Sequence, residues 1–316
     1  MSQGPEISVI MSTYSRNRGD EQCPNFFKRA LQSILEQTFT NFELILIDDG
    51  STDGTAEVSK KYAESDPRIR YIKFDLNSGL PAKRYNQGIS LAKGKWIAFM
   101  FDDDEWLPNA LEDLYQSIVH LPSIYGMVNG TVEYYFIQNG VNNMGHSDFG
   151  MESDSFRGLF MSNRLANNSV LIRREVFDQV GGYDETQCMR RICDWDLWIR
   201  IAIRYKSKAI PKKVARVYDG LEDSLQHTLR LNYHLVYARQ LLFFRKQPLR
   251  KYHLPKNLEQ WKRFFSILVR MPFYIVLRYT PLYQQEVRRI RRFVPKPVIK
   301  VLKVILRKAK KTTQKI

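Results

Sequence analysis

Lys93-Gly94-Lys95-Trp96-Ile97-Ala98-Phe99-Met100-Phe101-Asp102-Asp103-Asp104-Glu105-Trp106-Leu107-Pro108 decides how this chain is read. The apolar run in its middle reads as a buried strand, and three carboxylates stand directly at the end of that run. Carboxylates buried without partners carry a large desolvation cost. They therefore belong at the carboxyl edge of the strand, where a divalent cation can bind them. Hard oxygen ligands of this kind suit Mg²⁺ or Mn²⁺ and a phosphate-bearing substrate. The plainer alternative is an acidic turn with a helix cap.

Upstream, the pattern repeats. Ile7 to Ser12 reads as a strand, and Phe26 to Gln37 has helical apolar spacing in Phe27, Ala30, Leu31, Ile34 and Leu35. A second strand spans Phe42 to Ile47 and ends in Asp48-Asp49-Gly50-Ser51. Asp53 is placed to cap a helix over Thr55 to Glu64. A third strand, Arg70 to Phe74, precedes a helix over Ala82 to Ala92. This β-α-β-α-β-α-β order predicts an α/β fold with a mostly parallel central sheet flanked by helices. In such sheets ligands bind at the carboxyl ends of the strands. Three of those ends are polar or acidic here: Ser12-Thr13, Asp48-Asp49, and Asp102 to Asp104.

Downstream, residues 109–150 read as a helix, a strand around Tyr125 to Ile137 and a Gly/Asn turn. Asn167 to Arg173 reads as a strand and Arg174 to Val180 as a short helix. Asp194 to Tyr205 has helical spacing, with Trp195, Trp198, Ile199 and Ala202 on one face.

The net charge of +16 is unevenly divided. Residues 230–316 hold 23 Lys/Arg against Glu259 and Glu286, a balance of +21, whereas residues 1–229 come to −5. The expected organisation is a catalytic domain over 1–228 and a basic helical extension over 229–316, attracted to a polyanion. In that extension, Lys296 to Lys311 carries Val298, Val301, Leu302 and Ile305 on one stripe with lysines and Arg307 beside it. Such a helix suits an anionic membrane surface. Nucleic acid is not expected, because no recognised binding motif accompanies the charge. Packing on the domain core with a solvated basic face is the remaining alternative. Cys23, Cys188 and Cys193 show neither a disulfide framework nor a zinc spacing, which suggests a reducing compartment. Met1 to Glu6 carries no signal-peptide pattern, and no apolar run reaches spanning length.

The stretches Ser8-Val9-Ile10-Met11-Ser12-Thr13-Tyr14, Ser33 to Phe39, Phe42 to Thr55, Asn86-Gln87-Gly88-Ile89, the acidic strand end and Cys193 to Arg200 together resemble the family 2 glycosyltransferases, whose fold is the GT-A type. The resemblance covers roughly residues 6–225 and leaves the basic extension outside it. It implies a nucleotide-sugar donor, with a UDP-sugar favoured, and a glycan or polyprenyl-linked acceptor. It further implies work at the inner face of the cell membrane in bacterial surface-polysaccharide assembly. By the same resemblance Asp103 is the metal ligand, Asp102 contacts ribose or metal, and Asp104 supports the metal site. Phe101 departs from the pattern, since many relatives carry an acid there. Asp49 reads the base and Asp48 holds its loop. Ser12, Thr13 and Tyr14 line the nucleoside pocket, and Lys83 and Arg84 neutralise the phosphates, their alternative being a solvated helix face. Asp194 occupies the position of the catalytic base, with Cys193 where relatives have Glu; capping of its own helix is compatible with that role. His227 falls where relatives have a loop closing over the donor and is a further metal candidate. Trp195 and Trp198 read first as core, with acceptor stacking as the alternative. Two other functions share this outline: a non-catalytic sugar-nucleotide or glycan-binding scaffold, and a nucleotidyltransferase.

Overall fold

A computed structural model of the chain describes residues 4–15, 23–138, 141–147, 163, 165–185 and 193–219. All of them belong to the first of two units into which the chain divides, Met1–Asn232 and Tyr233–Ile316. The basic extension and His227 lie outside the described residues.

Four parallel strands form the first half of the sheet: β1 (Ile7–Thr13), β2 (Phe42–Asp48), β3 (Ile69–Lys73) and β4 (Trp96–Phe101). Helices α1 (Cys23–Leu35), α2 (Thr55–Ser65) and α3 (Pro81–Leu91) connect them in turn. Residues of β1, β2 and β4 are buried on both faces, as parallel strands require. Local chemistry starts α2 and α3 within a residue of the expected positions, although Gly54, not Asp53, is the N-cap of α2. Asp53 accepts the Thr55 N–H at 2.9 Å, and Pro81 opens α3 with its φ already helical. Gly88 lets α3 lie directly on β1, because a Cβ there would sit 2.4 Å from the Ile10 side chain.

The second half of the sheet is mixed. It contains β5 (Glu105–Trp106), β6 (Tyr125–Gln138), β7 (Val141–Ser147), β8 (Val170–Arg173) and β9 (Lys206–Asp219). Among the described residues the sheet runs β3-β2-β1-β4-β8-β6-β9-β5, with β7 on β6. β8 is antiparallel to both β4 and β6, β9 is parallel to β6, and β5 is antiparallel to β9. Helices α4 (Ala110–Ile118), α5 (Glu175–Val180) and α6 (Cys193–Arg204) complete the unit.

One face of the sheet packs against α1 and α4 through Phe27, Leu31, Ile34, Leu111 and Leu114. On the other face, Tyr85 of α3 and Phe177 of α5 meet Phe99 edge-on. Trp195 and Trp198 are wholly buried, so both are core residues.

Three expectations are corrected. The strand expected from Asn167 begins only at Val170, because Asn167–Ser169 forms a 3₁₀ turn. The Gly/Asn-rich stretch after β6 is a paired strand rather than only a turn. β9 was not anticipated at all: its lysines and Pro211 disguise it, and only pairing with β6 along most of its length makes it a strand.

Candidate active site

The end of β2 places two carboxylates side by side, and each is tied down differently. Asp48 is buried; its Oδ1 accepts the Ser51 N–H at 2.8 Å and its Oδ2 accepts the Tyr71 hydroxyl at 2.9 Å. Burial, and then that bond to Asp48, push the Tyr71 phenol well up. Asp48 therefore closes the turn behind the strand. Asp49 accepts the N–H of Ser78 at 2.9 Å and its hydroxyl at 2.7 Å, and it pairs with the Nε–H of Arg84. These three donors leave acceptor capacity on Oδ2 for one more. Gly50, at φ +79, follows; a Cβ there would come within 2.6 Å of the Leu76–Asn77 backbone. Glycine is thus what lets the 75–79 loop close over this turn.

Beside these, β1 ends in Ser12, Thr13 and Tyr14. Ser12 is half-buried, Thr13 is buried, and Tyr14 is 42% exposed. The Thr13 hydroxyl has no hydrogen-bond partner among the described residues. Ser15 adopts a left-handed φ of 48° and donates its N–H to the Ser51 hydroxyl at 2.9 Å, joining the two strand ends.

On α3, Lys83 is exposed, while Arg84 is buried. Besides Asp49, the Arg84 guanidinium donates to Gln87 Oε1 at 2.8 Å and to the Leu76 carbonyl at 3.1 Å, and lies 3.6 Å over the Phe74 ring. Its hydrogen-bonding capacity is largely committed inside the protein.

At the end of β4, Asp102 and Asp104 are buried and Asp103 is half-buried. Asp104 accepts Asn168 Nδ2–H at 2.8 Å on one oxygen and the Tyr218 N–H at 3.0 Å on the other. Burial, then the charge of Asp103, push its carboxyl well above the ordinary range; the Tyr218 N–H opposes this and Asp102 adds to it. The turn is fastened by α1. Gln37 donates to the Leu107 carbonyl at 2.8 Å, Ser33 Oγ accepts the Trp106 N–H at 3.1 Å, and Arg29 and Arg216 flank Glu105 at 3.2 Å and 2.8 Å.

Asp194 stands in the first turn of α6, half-buried. It accepts Asn163 Nδ2–H at 2.9 Å and the Trp195 N–H at 2.7 Å. Burial raises its carboxyl to about 6, against the lowering effect of those two bonds. Asp196 points elsewhere, into a buried ion pair with Arg200 at 2.7 Å. Tyr85 of α3 is buried and packs on Phe99, Phe101 and Tyr183. Burial first, then the charges of Asp102, Cys193, Asp103 and Asp194, raise its phenol.

The segment between α5 and α6 is held from both sides. Arg200 donates to the carbonyls of Val180 at 2.6 Å and Gly182 at 2.7 Å. Asn86 of α3 exchanges hydrogen bonds with the Tyr183 backbone at 2.7 and 2.9 Å, and the Tyr183 hydroxyl donates to Asn167 at 2.6 Å. Sequence patterns gave no notice of the roles of Asn163, Asn168 or Arg200. Their roles depend on partners 31, 64 and up to 20 residues away.

The sequence profile of glycosyl transferase family 2 matches residues 8–181. The putative colanic acid biosynthesis glycosyl transferase WcaA of Escherichia coli (strain K12) is 42% identical over 111 residues, 35% of this chain and 37% of its own length. The uncharacterized glycosyltransferase MJ1057 of Methanocaldococcus jannaschii is 28% identical over 285 residues, 88% of this chain and 91% of its own. Among solved structures, S. aureus TarS 1-349 in complex with UDP-GlcNAc superposes with a TM-score of 0.62 at 17% identity, covering 89% of this chain and 78% of that one. That likeness shows the fold to be of the GT-A type. On the strength of the profile match, the chain belongs to glycosyl transferase family 2.

Proposed function

We propose that this chain is an inverting, metal-dependent glycosyltransferase that moves a sugar from a UDP-sugar to a hydroxyl of a glycan or lipid-linked glycan. One observation carries the reading: Asn163 bonds Asp194 and Asn168 bonds Asp104, so a single short stretch of chain ties the acidic strand end to a separate carboxylate. The complex of TarS with UDP-GlcNAc supports the donor class, and the name of WcaA supports a role in surface-polysaccharide assembly.

The nucleotide side falls to the β1 and β2 ends. Asp49 has acceptor capacity left for a base N–H, with Arg84 and Ser78 holding its carboxylate in place. Ser12, Thr13 and Tyr14 border the nucleoside, and Asp48 keeps the turn closed. Lys83, exposed on α3, faces the diphosphate, while Arg84 serves it indirectly through Asp49.

No group of three or more His, Cys, Asp or Glu arranged for a metal occurs among the described residues. The donor set at the end of β4 nevertheless fits Mg²⁺ or Mn²⁺. Burial raises the Asp104 carboxyl there and the charges of Asp103 and Asp102 add to it, a repulsion that a cation relieves. Asp102 and Asp103 would hold it. Asp104 already serves Asn168 and Tyr218 and supports the turn instead. When bound, the cation supplies Lewis-acid stabilisation of the leaving diphosphate.

Asp194 then takes the acceptor proton. The acceptor oxygen bonds to the anomeric carbon as the bond from that carbon to the phosphate oxygen breaks; the proton goes to Asp194 and the nucleoside diphosphate leaves with the electron pair. A single displacement of this kind inverts the anomeric centre. A carboxyl titrating at about 6 is ionised at neutral pH, as a base must be. The basic residues 230–316 dock the enzyme on the anionic inner face of the membrane, where a polyprenyl-linked acceptor resides.

Calorimetric titration of UDP, GDP and dTDP with Mn²⁺, and again with EDTA, tests the donor site. Metal-dependent binding of UDP alone is expected; a folded protein that binds none of the three would turn the reading towards a non-catalytic scaffold. The Asp194→Asn variant should keep UDP binding and lose transfer by about 10²–10⁴-fold. Normal transfer by that variant would remove Asp194 as the base.

A further inference from the structure

Asp194 is held by two neutral donors from opposite sides. The helix supplies the Trp195 N–H to Oδ1, and Asn163 supplies its amide N–H to Oδ2. The orientation of the Asn163 amide is itself fixed, because its Oδ1 accepts the Leu165 N–H at 3.4 Å and so directs Nδ2 at the carboxylate. Leu165 is buried, which anchors the turn. A few residues on, Asn167 accepts the Tyr183 hydroxyl and Asn168 donates to Asp104. One short stretch of chain therefore touches the carboxylate on α6 and the acidic turn after β4.

We propose that Asn163 is a positioning residue for Asp194: it fixes the plane of that carboxylate relative to the acidic turn, through the stretch that also holds Asp104. The inference rests on the reading of Asp194 as the base, but the contact it invokes is testable without that reading. The hydrogen bond favours the ionised carboxylate, so Asn163 keeps the base available at neutral pH. The other titratable groups facing Asp194 among the described residues are Cys193 on its own helix, Tyr85 from α3 and Tyr183 from the turn after α5. Burial raises all three, so they stay neutral across the range in which Asp194 titrates.

Carbon-13 NMR of aspartate-labelled protein reads the titration of Asp194 directly, its resonance being the one lost in Asp194→Asn. The midpoint expected in the unaltered protein is about 6. Asn163→Ala removes the donor and should raise that midpoint by about one unit. Asn163→Asp keeps the acceptor for the Leu165 N–H, replaces the donor with an acceptor, and should raise it further. A midpoint unchanged in both variants, with the rest of the spectrum intact, would overturn the proposal. The acidic limb of the pH–rate profile for transfer should move with the midpoint. If the midpoint moves and the limb does not, the role of Asn163 towards Asp194 stands, and it is Asp194 as the base that fails.

Discussion

Asp49 follows β2 of the parallel half, Asp194 opens the helix between two strands of the mixed half, and the two illustrate opposite ways of keeping a carboxylate below the surface. In the parallel half, Asp49 is matched by a guanidinium from α3 and by both donors of Ser78. The partners of Asp194 are an amide and a backbone N–H; both favour its ionised form, and burial outweighs them and raises its proton affinity. A group that takes a proton gains from being poised near neutrality. The same residue type is given a charged partner in one place and neutral partners in the other.

The contrast can be broken from the Asp49 side first. Arg84→Met would strand a buried carboxylate and should cost about 3–5 kcal/mol of stability, read as a lower denaturant midpoint. Replacing Asp49 as well, by leucine, should recover much of that loss while UDP binding stays absent. If the single variant is as stable as the parent, Asp49 does not depend on the ion pair.

From the Asp194 side the sign is reversed. Its carboxyl ionises near 4 in the unfolded chain, about 3.9 for a free Asp, and at about 6 in the folded protein. The unfolded chain releases its proton first, so stability falls as pH rises through that window and stays reduced above it. Asp194→Asn should therefore be more stable than the parent by about 3 kcal/mol near pH 8, with the gap closing near pH 4. Thermal unfolding at the two pH values decides this; a gap that does not change with pH would mean that Asp194 is not held above its ordinary range.

The smallest effect lies outside the contrast and calibrates it. Asp53→Ala removes the acceptor for the first N–H of α2 and should cost about 1 kcal/mol at any neutral pH. A larger loss would point to a further task for Asp53 in the turn that begins at Asp48.

The parallel half was legible because its strands and helices announce themselves locally: β4 is an unbroken apolar run, β1 and β2 are mostly apolar, and α1 keeps its apolar residues at helical spacing. The mixed half was not. β9 is rich in lysine, contains Pro211, and becomes a strand through β6, while β5 is two residues long and exists through its pairing with Arg216 and Ala215. The site divides in the same way. Acidic residues at strand ends point to a cation and a phosphate without any knowledge of their neighbours. Arg84 reads as a cation for phosphates because its sequence neighbours say nothing of Asp49, which lies 35 residues earlier. Asn163 carries no local signal, since an asparagine in a polar stretch reads as a turn residue.

The order of the strands along the chain also bears on how the protein is made. β1 to β4 are complete within the first 101 residues, and each pairs with strands already present or next to emerge. β5 must wait for Arg216, 111 residues after Glu105, before its edge is covered. At typical synthesis speeds that is a delay of roughly 10 s. The parallel half can assemble on the ribosome before that, while β4 presents an open edge until β8 emerges. The three residues of that edge which β8 later takes, Trp96 to Ala98, are therefore a place where a nascent chain of this protein is exposed to pairing with the wrong neighbour.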